Sequence, residues 1–515
     1  NSPSILNRFS LTDKRIRTYY FSEQKSALVA RKQGVKMATG KYIMFLDADD
    51  YLELNACEIV VGKIISTNVE ILHFTSEIEN YGAASEERIK MNEKLLLPYD
   101  KCLHNESIFE SCFVRKLFGF TLWNKVFMAS LCKKAFEYME DIYLPKAQDL
   151  YSFFIISFFA KSYMGWNCKP CYHYCFGRGV TGTPQITINT FERYCLQADV
   201  TKALNRFLYS QNAINDYKFI TDELNSKWID ECVSLWVGKV NEKDAYLAFA
   251  LLVKHWKETA VITSFTNKYW YSRNTIAKKL KDMPTISLKE KYVKTIAFYY
   301  YHFTIGGIQK VISILIPLFQ GMGYRVLLIT DKPVSEQDIS ILPDVDRITI
   351  CDYQQTDRNN YSIRLEEWNR IIKCYSIDVV LYNAWTSPLL LWDILVLKLN
   401  QVPVLVQTHS IFSYALIDHK KEFATLPSIM ALADGVIVLS KADLMFWNCF
   451  NSNVHHIPNP IEPTLMNRYP TTGEKDAIVW IGRFSNEKQP WEAISIMEHV
   501  VQQIPKAALY MIGDS

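Results

Sequence analysis

The chain has 515 residues, of which 49% are hydrophobic and 14% aromatic, so we expect two or three domains and exclude a disordered protein. The formal net charge is only +3, from 57 basic and 54 acidic side chains that are mixed along the chain, which argues against a nucleic-acid partner. The apolar stretch 388–399 is too short to span a membrane and contains Asp393 and Lys398. The 12 cysteines show no framework of short repeated spacings, which favours free thiols in a reducing compartment, so we expect a cytoplasmic protein.

The first pair of elements is a predicted helix over Ser26–Thr39, ended by Gly40, and a predicted buried strand that carries Ile43–Leu46. The apolar residues of this strand do not alternate with polar ones, which is typical of a parallel sheet with both faces covered. Asp47 and Asp49 follow at the carboxyl end of the strand, where open α/β sheets bind ligands. Two carboxylates one residue apart suit a divalent cation that carries phosphate oxygens, so the sequence predicts a metal-assisted phosphate or nucleotide-sugar site.

Two other interpretations of this acidic turn stay open. An Asp-x-Asp after a strand is often a solvated cap. A phosphatase of the haloacid dehalogenase type also begins with a strand followed by Asp-x-Asp, but that family's pattern continues to Thr where this chain has Tyr51.

A second short pattern has a superficial likeness to a zinc knuckle: Cys168, Cys171, His173 and Cys175. If 171–176 is a strand, the last two cysteines lie about 13 Å apart, at ~3.3 Å per residue. The ligands of one zinc ion sit within roughly 4 Å of each other. A half-buried strand is therefore the favoured interpretation, with the zinc site as the alternative.

The stretch SALVARKQGVKMATGKYIMFLDADDYL resembles the core of the inverting family 2 glycosyltransferases, which have the GT-A fold. In that family the Asp-x-Asp pair holds Mg or Mn against the donor diphosphate. The resemblance implies that Asp47 and Asp49 bind the metal and the donor, with Asp50 in support. Further along, Trp123-Asn124-Lys125 is similar to the Trp-Asn-Lys segment of the family.

The family places a Glu-Asp pair at the mouth of the acceptor site, and its Asp is the catalytic base. Asp149 takes this role by resemblance, because it precedes an apolar helix and lies the usual distance before CYHYCFGRGVTG, which resembles the strand that closes the domain. Three points stand against it: Gln148 replaces the Glu, Glu140-Asp141 is a rival pair, and an Asp at the head of a helix is also an ordinary N-cap.

The two opening strands of the family, which end in Pro-x-Tyr-Asn and Asp-Asp-Gly-Ser, have no counterpart in this sequence. We therefore expect the chain to begin inside this domain. The pattern then changes over 186–290 to helical periodicity, which predicts a helical connector. Within it, 254–281 interleaves aromatic and basic residues; peripheral contact with an anionic membrane is one interpretation, and packing with snorkelling lysines is the other.

The second half returns to an α/β alternation. A strand over Thr295–Phe303 leads through Gly306-Gly307 to a helix, and later strands precede His409, VHHIPNPIEP and IVWIGRFSNEKQPWEAI. This order resembles the family 4 glycosyltransferases of the GT-B fold, in which two Rossmann-like domains face each other across a cleft and no metal is required.

The resemblance implies that Gly306 and Gly307 lie near the donor phosphates and that Arg483 and Lys488 clamp the diphosphate. Two cations around a turn at a helix N-terminus suit that task. His409 is expected to contact the donor sugar. The alternatives are a plain strand-to-helix bend, a solvated turn and a structural histidine. The family's two spaced glutamates have no counterpart before Ser515, so we expect the second GT-B domain to be truncated.

The sequence thus predicts a truncated GT-A domain (1–185), a helical connector (186–290), a GT-B N-terminal domain (291–470) and the start of a GT-B C-terminal domain (471–515). The predicted function is a bifunctional glycosyltransferase, inactive as given, that uses nucleotide-sugar donors and a glycan or lipid-linked acceptor in surface polysaccharide or glycoconjugate synthesis. The alternative is a non-catalytic glycan-binding or scaffolding protein with degenerate folds.

Overall fold

A computed structural model describes residues 2–81, 86–176, 186–289, 291–304, 306–335, 342–350, 361–410, 424–461 and 476–513. Two compact units divide the chain, Asn1–Pro458 and Asn459–Ser515. In the described ranges, helices alternate with strands that assemble into four sheets. The predicted α/β class is therefore confirmed.

The first part of the large unit contains two small sheets. Its strands are β1 (Tyr42–Met44), β2 (Tyr51–Leu52), β3 (Ile71–Phe74), β4 (Ser76–Asn80), β5 (Cys102–His104), β6 (Lys125–Met128), β7 (Ser162–Trp166) and β8 (Tyr172–Phe176). One sheet has the order β1-β6-β3-β7-β5 and the other the order β2-β8-β4. The helices are α1 (Ser2–Thr12), α2 (Ala27–Met37), α3 (Ala56–Thr67), α4 (Glu86–Leu96), α5 (Glu106–Phe113), α6 (Ala129–Glu137) and α7 (Gln148–Phe159).

The strand that leads into the acidic turn differs from its predicted form. β1 ends at Met44 and, among the described strands, lies at the edge of its sheet, paired antiparallel with β6. Ile43 is buried and Phe45 half-buried, whereas Leu46 is 54% exposed. The prediction of a strand over 43–46 in a parallel sheet is therefore wrong, because the apolar run continues past the last strand pairing instead of lying between two covered faces.

Six helices follow and confirm the predicted helical connector: α8 (Ile188–Cys195), α9 (Gln197–Ser210), α10 (Ile214–Lys239), α11 (Ala245–Trp256), α12 (Glu258–Tyr269) and α13 (Arg273–Lys279). Trp256 and Trp270 lie in the hydrophobic core, as the packing interpretation of this aromatic and basic stretch expects. Among the described residues, no helix has both the length and the apolar character needed to cross a membrane.

The second half of the large unit is built on a seven-stranded parallel sheet. Its strands are β9 (Thr295–Tyr299), β10 (Arg325–Thr330), β11 (Asp346–Thr349), β12 (Val379–Tyr382), β13 (Val404–Gln407), β14 (Gly435–Val438) and β15 (Val454–His456), in the order β11-β10-β9-β12-β13-β14-β15. The described helices are α14 (Gly307–Gly321), α15 (Tyr361–Tyr375), α16 (Leu390–Leu399), α17 (Leu426–Met430) and α18 (Lys441–Trp447). All five residues of β9 are buried, as expected for a central strand of a sheet covered on both faces.

The small unit contains a parallel pair of strands, β16 (Ala477–Ile481) and β17 (Ala508–Ile512), connected through helix α19 (Pro490–Gln503). This is a single β-α-β unit, in which a helix returns the chain to start a parallel strand. Arg483 and Lys488 lie between its first strand and its helix.

Candidate active site

The acidic turn is fixed by its hydrogen bonds to β8. The N–H of Asp50 donates to the carbonyl oxygen of Asp47 (3.2 Å), which closes the turn. The Asp50 carboxylate accepts hydrogen bonds from the Tyr172 hydroxyl (2.7 Å) and from the N–H of Cys175 (2.8 Å). Burial raises the pKa of Asp50, and these two hydrogen bonds oppose that rise. Asp50 therefore supports the turn by anchoring it.

The guanidinium group of Arg31, on α2, joins two of the predicted site carboxylates. Its Nη2 donates to Asp47 Oδ1 at 2.9 Å, and its Nη1 donates to Asp149 Oδ1. The Arg31 side chain is only 10% exposed. Burial disfavours its charge, but the two carboxylates outweigh burial and raise the Arg31 pKa. The structure thus brings Asp47 and Asp149 into one ion-pair cluster.

Sequence reasoning missed Arg31. In the predicted helix it stood with Lys32 among apolar positions, and both look like solvated side chains. The packing of α2 against α7 separates them, because Arg31 faces the cluster while Lys32 pairs with the exposed Asp141.

Asp149 lies in the first turn of α7, but it does not cap the helix. The N-cap residue is Ala147, which has a left-handed backbone conformation, and the Asp149 side chain contacts Arg31 instead. The N-cap interpretation is therefore wrong. Burial raises the Asp149 pKa and the charge of Asp47 adds to that rise, while Arg31 lowers it. A carboxyl group with a raised pKa, held in place by a cation, is chemically suited to act as a general base.

Asp49 is the exposed carboxylate of the turn, and no hydrogen bond to its side chain occurs within the described part of the chain. Asp47 still offers the oxygen that does not bind Arg31. Mg²⁺ is commonly held by one or two carboxylates together with substrate phosphates, so this pair of hard oxygen ligands fits Mg or Mn. In the described residues, no group of three or more His, Cys, Asp or Glu side chains is arranged to hold a metal. A cation here would therefore depend on phosphate oxygens of the donor.

The same observation contradicts the zinc-knuckle alternative, whose four residues are all described. Cys171 and Cys175 are buried free thiols, and Cys175 belongs to β8. His173 is occupied elsewhere, because its Nε2 lies 2.8 Å from a Glu53 carboxylate oxygen. The strand interpretation is confirmed for residues 172–176.

The segment Trp123-Asn124-Lys125 forms part of the support beneath the acidic turn. The Trp123 ring stacks on Tyr172, with ring centroids 4.5 Å apart, and Tyr172 in turn donates to Asp50. Lys125 is buried, and burial lowers its pKa to about 7. Its ammonium group donates to the Thr121 carbonyl oxygen at 2.6 Å. Trp123 therefore supports the turn through Tyr172, whereas Lys125 holds the loop that precedes β6.

The predicted second site contains His409, for which the sequence leaves a donor-sugar contact and a structural role as alternatives. His409 Nε2 lies 2.8 Å from Asn383 Oδ1, so Nε2 carries the proton and Nδ1 presents a lone pair. Nδ1 is buried and has no hydrogen-bond partner among the residues that the structure describes. Burial lowers the His409 pKa to about 4, which keeps the ring neutral. Sequence reasoning missed Asn383, which directly follows the buried strand β12. Asp47 likewise directly follows an apolar run, Ile43–Leu46.

The glycine turn begins α14. Gly306 is the N-cap residue with an extended backbone, and a Cβ there would meet the Gln309 side-chain oxygen at 2.7 Å. Among the described residues, a Cβ at Gly307 would meet nothing within 4 Å, so they leave space beside it. The first-turn N–H groups of a helix have no partner within it, and such a helix start suits an anion.

Arg483 and Lys488 lie in the small unit and are both exposed. The turn between them is closed by hydrogen bonds from the Ser485 N–H to the Arg483 carbonyl oxygen (2.8 Å) and from the Lys488 N–H to the Ser485 carbonyl oxygen (3.0 Å). Helix α19 begins directly afterwards at Pro490. The structure thus places both cations on one turn before a helix, and their role in donor binding stays a prediction.

Comparison with known protein families gives two matches along the chain. Residues 1–122 match the family model described as Glycosyl transferase family 2, and residues 305–465 match that described as Glycosyltransferase Family 4. The chain therefore contains a family 2 and a family 4 glycosyltransferase segment in tandem, as its sequence predicts. The first match includes the acidic turn, which favours the glycosyltransferase interpretation over the phosphatase one.

Two curated proteins are similar to part of the chain. "Putative glycosyltransferase EpsH" of Bacillus subtilis (strain 168) is 27% identical over 177 residues, which are 34% of this chain and 48% of that protein. "Glycosyltransferase GlyA" of Streptococcus pneumoniae serotype 4 (strain ATCC BAA-334 / TIGR4) is 29% identical over 136 residues, which are 25% of this chain and 19% of that protein. The chain thus spans less than half the length of each of these relatives.

Solved glycosyltransferase structures show a more distant likeness. The apo form of the lipopolysaccharide outer core galactosyltransferase WaaB is 15% identical with a TM-score of 0.32, over 43% of this chain and 61% of that one. The S. aureus TarS 1–349 complex with UDP-GlcNAc is 14% identical with a TM-score of 0.27, over 52% of this chain and 80% of that one. These likenesses are too low to bear on the site.

Proposed function

We propose that residues 1–185 contribute the metal-binding and catalytic carboxylates of a domain that transfers a sugar from a nucleotide-sugar donor to a hydroxyl group of a glycan or lipid-linked acceptor. The observation that carries this proposal is the ion-pair cluster in which Arg31 joins Asp47 and Asp149. It links a carboxylate of the predicted donor site to the predicted catalytic base. A solvated acidic cap would not require a buried arginine to connect it to a second helix.

In this reaction Asp149 accepts the proton of the acceptor hydroxyl group. The acceptor oxygen then bonds to the anomeric carbon as the bond from that carbon to the diphosphate oxygen breaks, and attack from the opposite face inverts the configuration. Asp47 and Asp49 would hold Mg or Mn, which when bound neutralises charge on the leaving diphosphate. Arg31 keeps Asp149 oriented and ionised between turnovers.

We further propose a second nucleotide-sugar site, one that needs no metal, in the family 4 segment. In the large unit, Gly306 and Gly307 leave the start of α14 open to phosphate oxygens. In the small unit, taken by itself, the turn with Arg483 and Lys488 carries the positive charge that the family resemblance assigns to diphosphate binding. His409 stays neutral, and its Nδ1 accepts a hydrogen bond from a hydroxyl group of the donor sugar. By analogy with its family, this site transfers with retention, and the two sites act in succession during synthesis of a surface polysaccharide or glycoconjugate at the inner face of the membrane.

The first site is tested with Asp49→Asn, Asp149→Asn and the control Asp141→Asn in the full-length gene product, with a panel of UDP-sugars and Mn²⁺. Asp141 is the rival carboxylate, and its side chain is 73% exposed. Asp49→Asn should weaken Mn²⁺-dependent donor binding. Asp149→Asn should leave that binding intact and reduce transfer by about 10²- to 10⁴-fold, the usual contribution of a general base. Transfer that survives Asp149→Asn but not Asp141→Asn would reverse the assignment.

The second site is tested by donor binding in the presence of EDTA. Arg483→Ala should weaken nucleoside diphosphate binding by about tenfold or more, the loss expected for a charge-assisted hydrogen bond. Arg325→Ala is the control, because this exposed arginine already pairs with Asp346 at 2.7 Å. If neither variant alters metal-free binding, the clamp is assigned to the wrong residues. If no donor is turned over by either segment, the non-catalytic glycan-binding alternative gains support.

A further inference from the structure

The helical connector contains a cavity of about 540 Å³ that neither predicted donor site uses. It lies among α9, α10 and the junction of α11 with α12, and its polar lining includes Thr201, Asn205, Asn225, Asp230 and Ser264. Small-molecule sites in proteins commonly measure roughly 300–1,000 Å³ and carry a few converging polar groups. The cavity therefore has the size and the chemistry of a ligand site.

Unused hydrogen-bond donors line one side of this cavity. Lys257 is the N-cap residue of α12, with φ 69° and ψ 156°, and it provides no side-chain cap. The first-turn N–H groups of a helix have no intrahelical acceptors, and Glu258, Thr259 and Ala260 line the cavity. Trp256 also lines it and is only 7% exposed, while its indole nitrogen is itself buried and has no hydrogen-bond partner among the described residues. The donors on this side are therefore the first-turn N–H groups of α12.

Hydrogen-bond acceptors line the opposite side. Asp230 Oδ1 accepts a hydrogen bond from the Ser264 hydroxyl group (2.5 Å), and its other carboxylate oxygen, 3.8 Å from the Lys268 ammonium nitrogen, can accept further hydrogen bonds. The Asn225 side-chain oxygen accepts from the Thr201 hydroxyl group (2.5 Å), which leaves the Asn225 amide group as a further donor. The cavity thus offers both hydrogen-bond donors and hydrogen-bond acceptors. A ligand whose groups can both donate and accept would use both.

The charges around the cavity balance. Of the charged residues that line it, Lys202 pairs with Asp199 (2.9 Å) and Asp230 pairs with Lys268 (3.8 Å). Lys257 and Glu258 then contribute one charge of each sign. An anionic ligand would gain from the start of α12 but would face two carboxylates. A neutral ligand meets no net charge. The lining therefore favours a neutral, polyhydroxylated molecule over a phosphate or an acidic sugar.

We propose that this cavity is a binding site for a neutral saccharide, separate from both donor sites. The existence of a site follows from the cavity and its lining, and the identification of its ligand as a glycan rests on the proposed function. Each sugar hydroxyl group both donates and accepts, so one ring can bind to the start of α12 and to the Asn225 and Asp230 side chains. The site would hold a glycan on the helices that join the two transferase segments.

The test uses residues 1–515, a panel of neutral disaccharides of glucose, galactose and N-acetylglucosamine, and saturation-transfer-difference NMR. Ala260→Trp fills the cavity without deleting a polar group, and it should weaken disaccharide binding by about tenfold or more. Lys227→Trp is the matched control, because Lys227 is exposed on α10 and does not line the cavity, and it should bind as the unaltered chain does.

The inference is overturned if no neutral disaccharide binds, or if Ala260→Trp binds as well as Lys227→Trp. Inorganic phosphate and a glucuronic-acid disaccharide are measured alongside, and tighter binding of either at this cavity would also overturn it. UDP-sugar binding and transfer are measured separately in the same variants. If the full-length gene product shows no transferase activity and Ala260→Trp still loses disaccharide binding, this site is supported while the proposed function is refuted.

Discussion

Replacing Arg31 by methionine tests whether the ion-pair cluster holds α2, α7 and the acidic turn together. Methionine keeps most of the side-chain length but removes the guanidinium group, so Asp47 and Asp149 face each other without a cation. A hydrogen bond to a charged group contributes about 1.5–3 kcal/mol. The Asp149 bond has that value in full, because the Asp149 side chain is 20% exposed. The Asp47 bond adds at most about 1 kcal/mol, because the Asp47 side chain is 36% exposed and screened by solvent.

The expected local destabilisation is therefore about 2–4 kcal/mol at pH 7. Amide hydrogen exchange of peptides from α2 and α7 measures it directly and needs no two-state transition of the whole chain. Protection of these helices should fall by roughly 30- to 1,000-fold, while that of β9 should not change. Arg115→Met is the control, because Arg115 is 59% exposed beside Glu110 and contributes little.

The loss should depend on pH with a definite sign. The Asp149 pKa is raised in the folded chain, and removal of Arg31 takes away the group that lowers it. A carboxyl group with a raised folded pKa favours the folded state at acid pH, and this contribution is lost as the pH rises through that pKa. Arg31→Met should therefore cost less at pH 5 than at pH 8. An equal cost at both values, or one below about 0.5 kcal/mol, would refute the cluster as an electrostatic unit.

Three further predictions concern other parts of the fold. Asp393→Asn should destabilise the second half by about 3–5 kcal/mol, because it leaves the buried Arg364 without its main partner. The control Glu367→Gln, which removes the charge of an exposed ion pair, should cost under about 0.5 kcal/mol. Urea unfolding measures both variants. His409 should show no NMR titration from pH 8 to pH 5, and because its folded pKa of about 4 lies below its unfolded value, stability should be lost as the pH falls from about 6.5, by up to about 3 kcal/mol at pH 4. Gly165→Ala should destabilise the fold strongly, since the new Cβ would lie 1.8 Å from the Tyr99 carbonyl oxygen. Gly34→Ala should stabilise α2 by about 0.5–1 kcal/mol, because its Cβ would meet no described atom outside the backbone of α2 within 4 Å. Thermal melts distinguish the two variants.

The sequence predicts local elements well because periodicity and turn residues are local. The helix before the acidic turn was predicted over 26–39 and is found at Ala27–Met37, and the apolar helix after Asp149 is found at Gln148–Phe159. The prediction that β1 lies in a parallel sheet is wrong, because strand pairing joins residues that are far apart in sequence. Ile43 pairs with Phe127 in an antiparallel ladder. The apolar residues of a strand do not indicate which strand pairs with it.

The site residues also divide into those with a local sequence signal and those whose role depends on residues far away in the sequence. The paired carboxylates were visible because they interrupt an apolar run, whereas Arg31 was not, because a basic residue on an amphipathic helix is normally solvated. Its role depends on Asp149, which lies 118 positions away along the chain. Asn383 carried the signal used for Asp47, a polar residue directly after a buried strand, and was overlooked because it bears no charge.

The same reasoning explains the two charged residues of α16, the helix whose sequence comes closest to a membrane segment. Asp393 and Lys398 are buried in ion pairs, with Arg364 and Asp434 respectively. Asp393 also accepts a hydrogen bond from the Tyr382 hydroxyl group (2.9 Å), at the last residue of β12. Buried ion pairs add little net stability but penalise every arrangement that separates them. The Arg364–Asp393 pair thus contacts the last residue of β12, and the next residue, Asn383, orients His409. The buried Asp393 therefore supports the strand end from which the candidate second site is built.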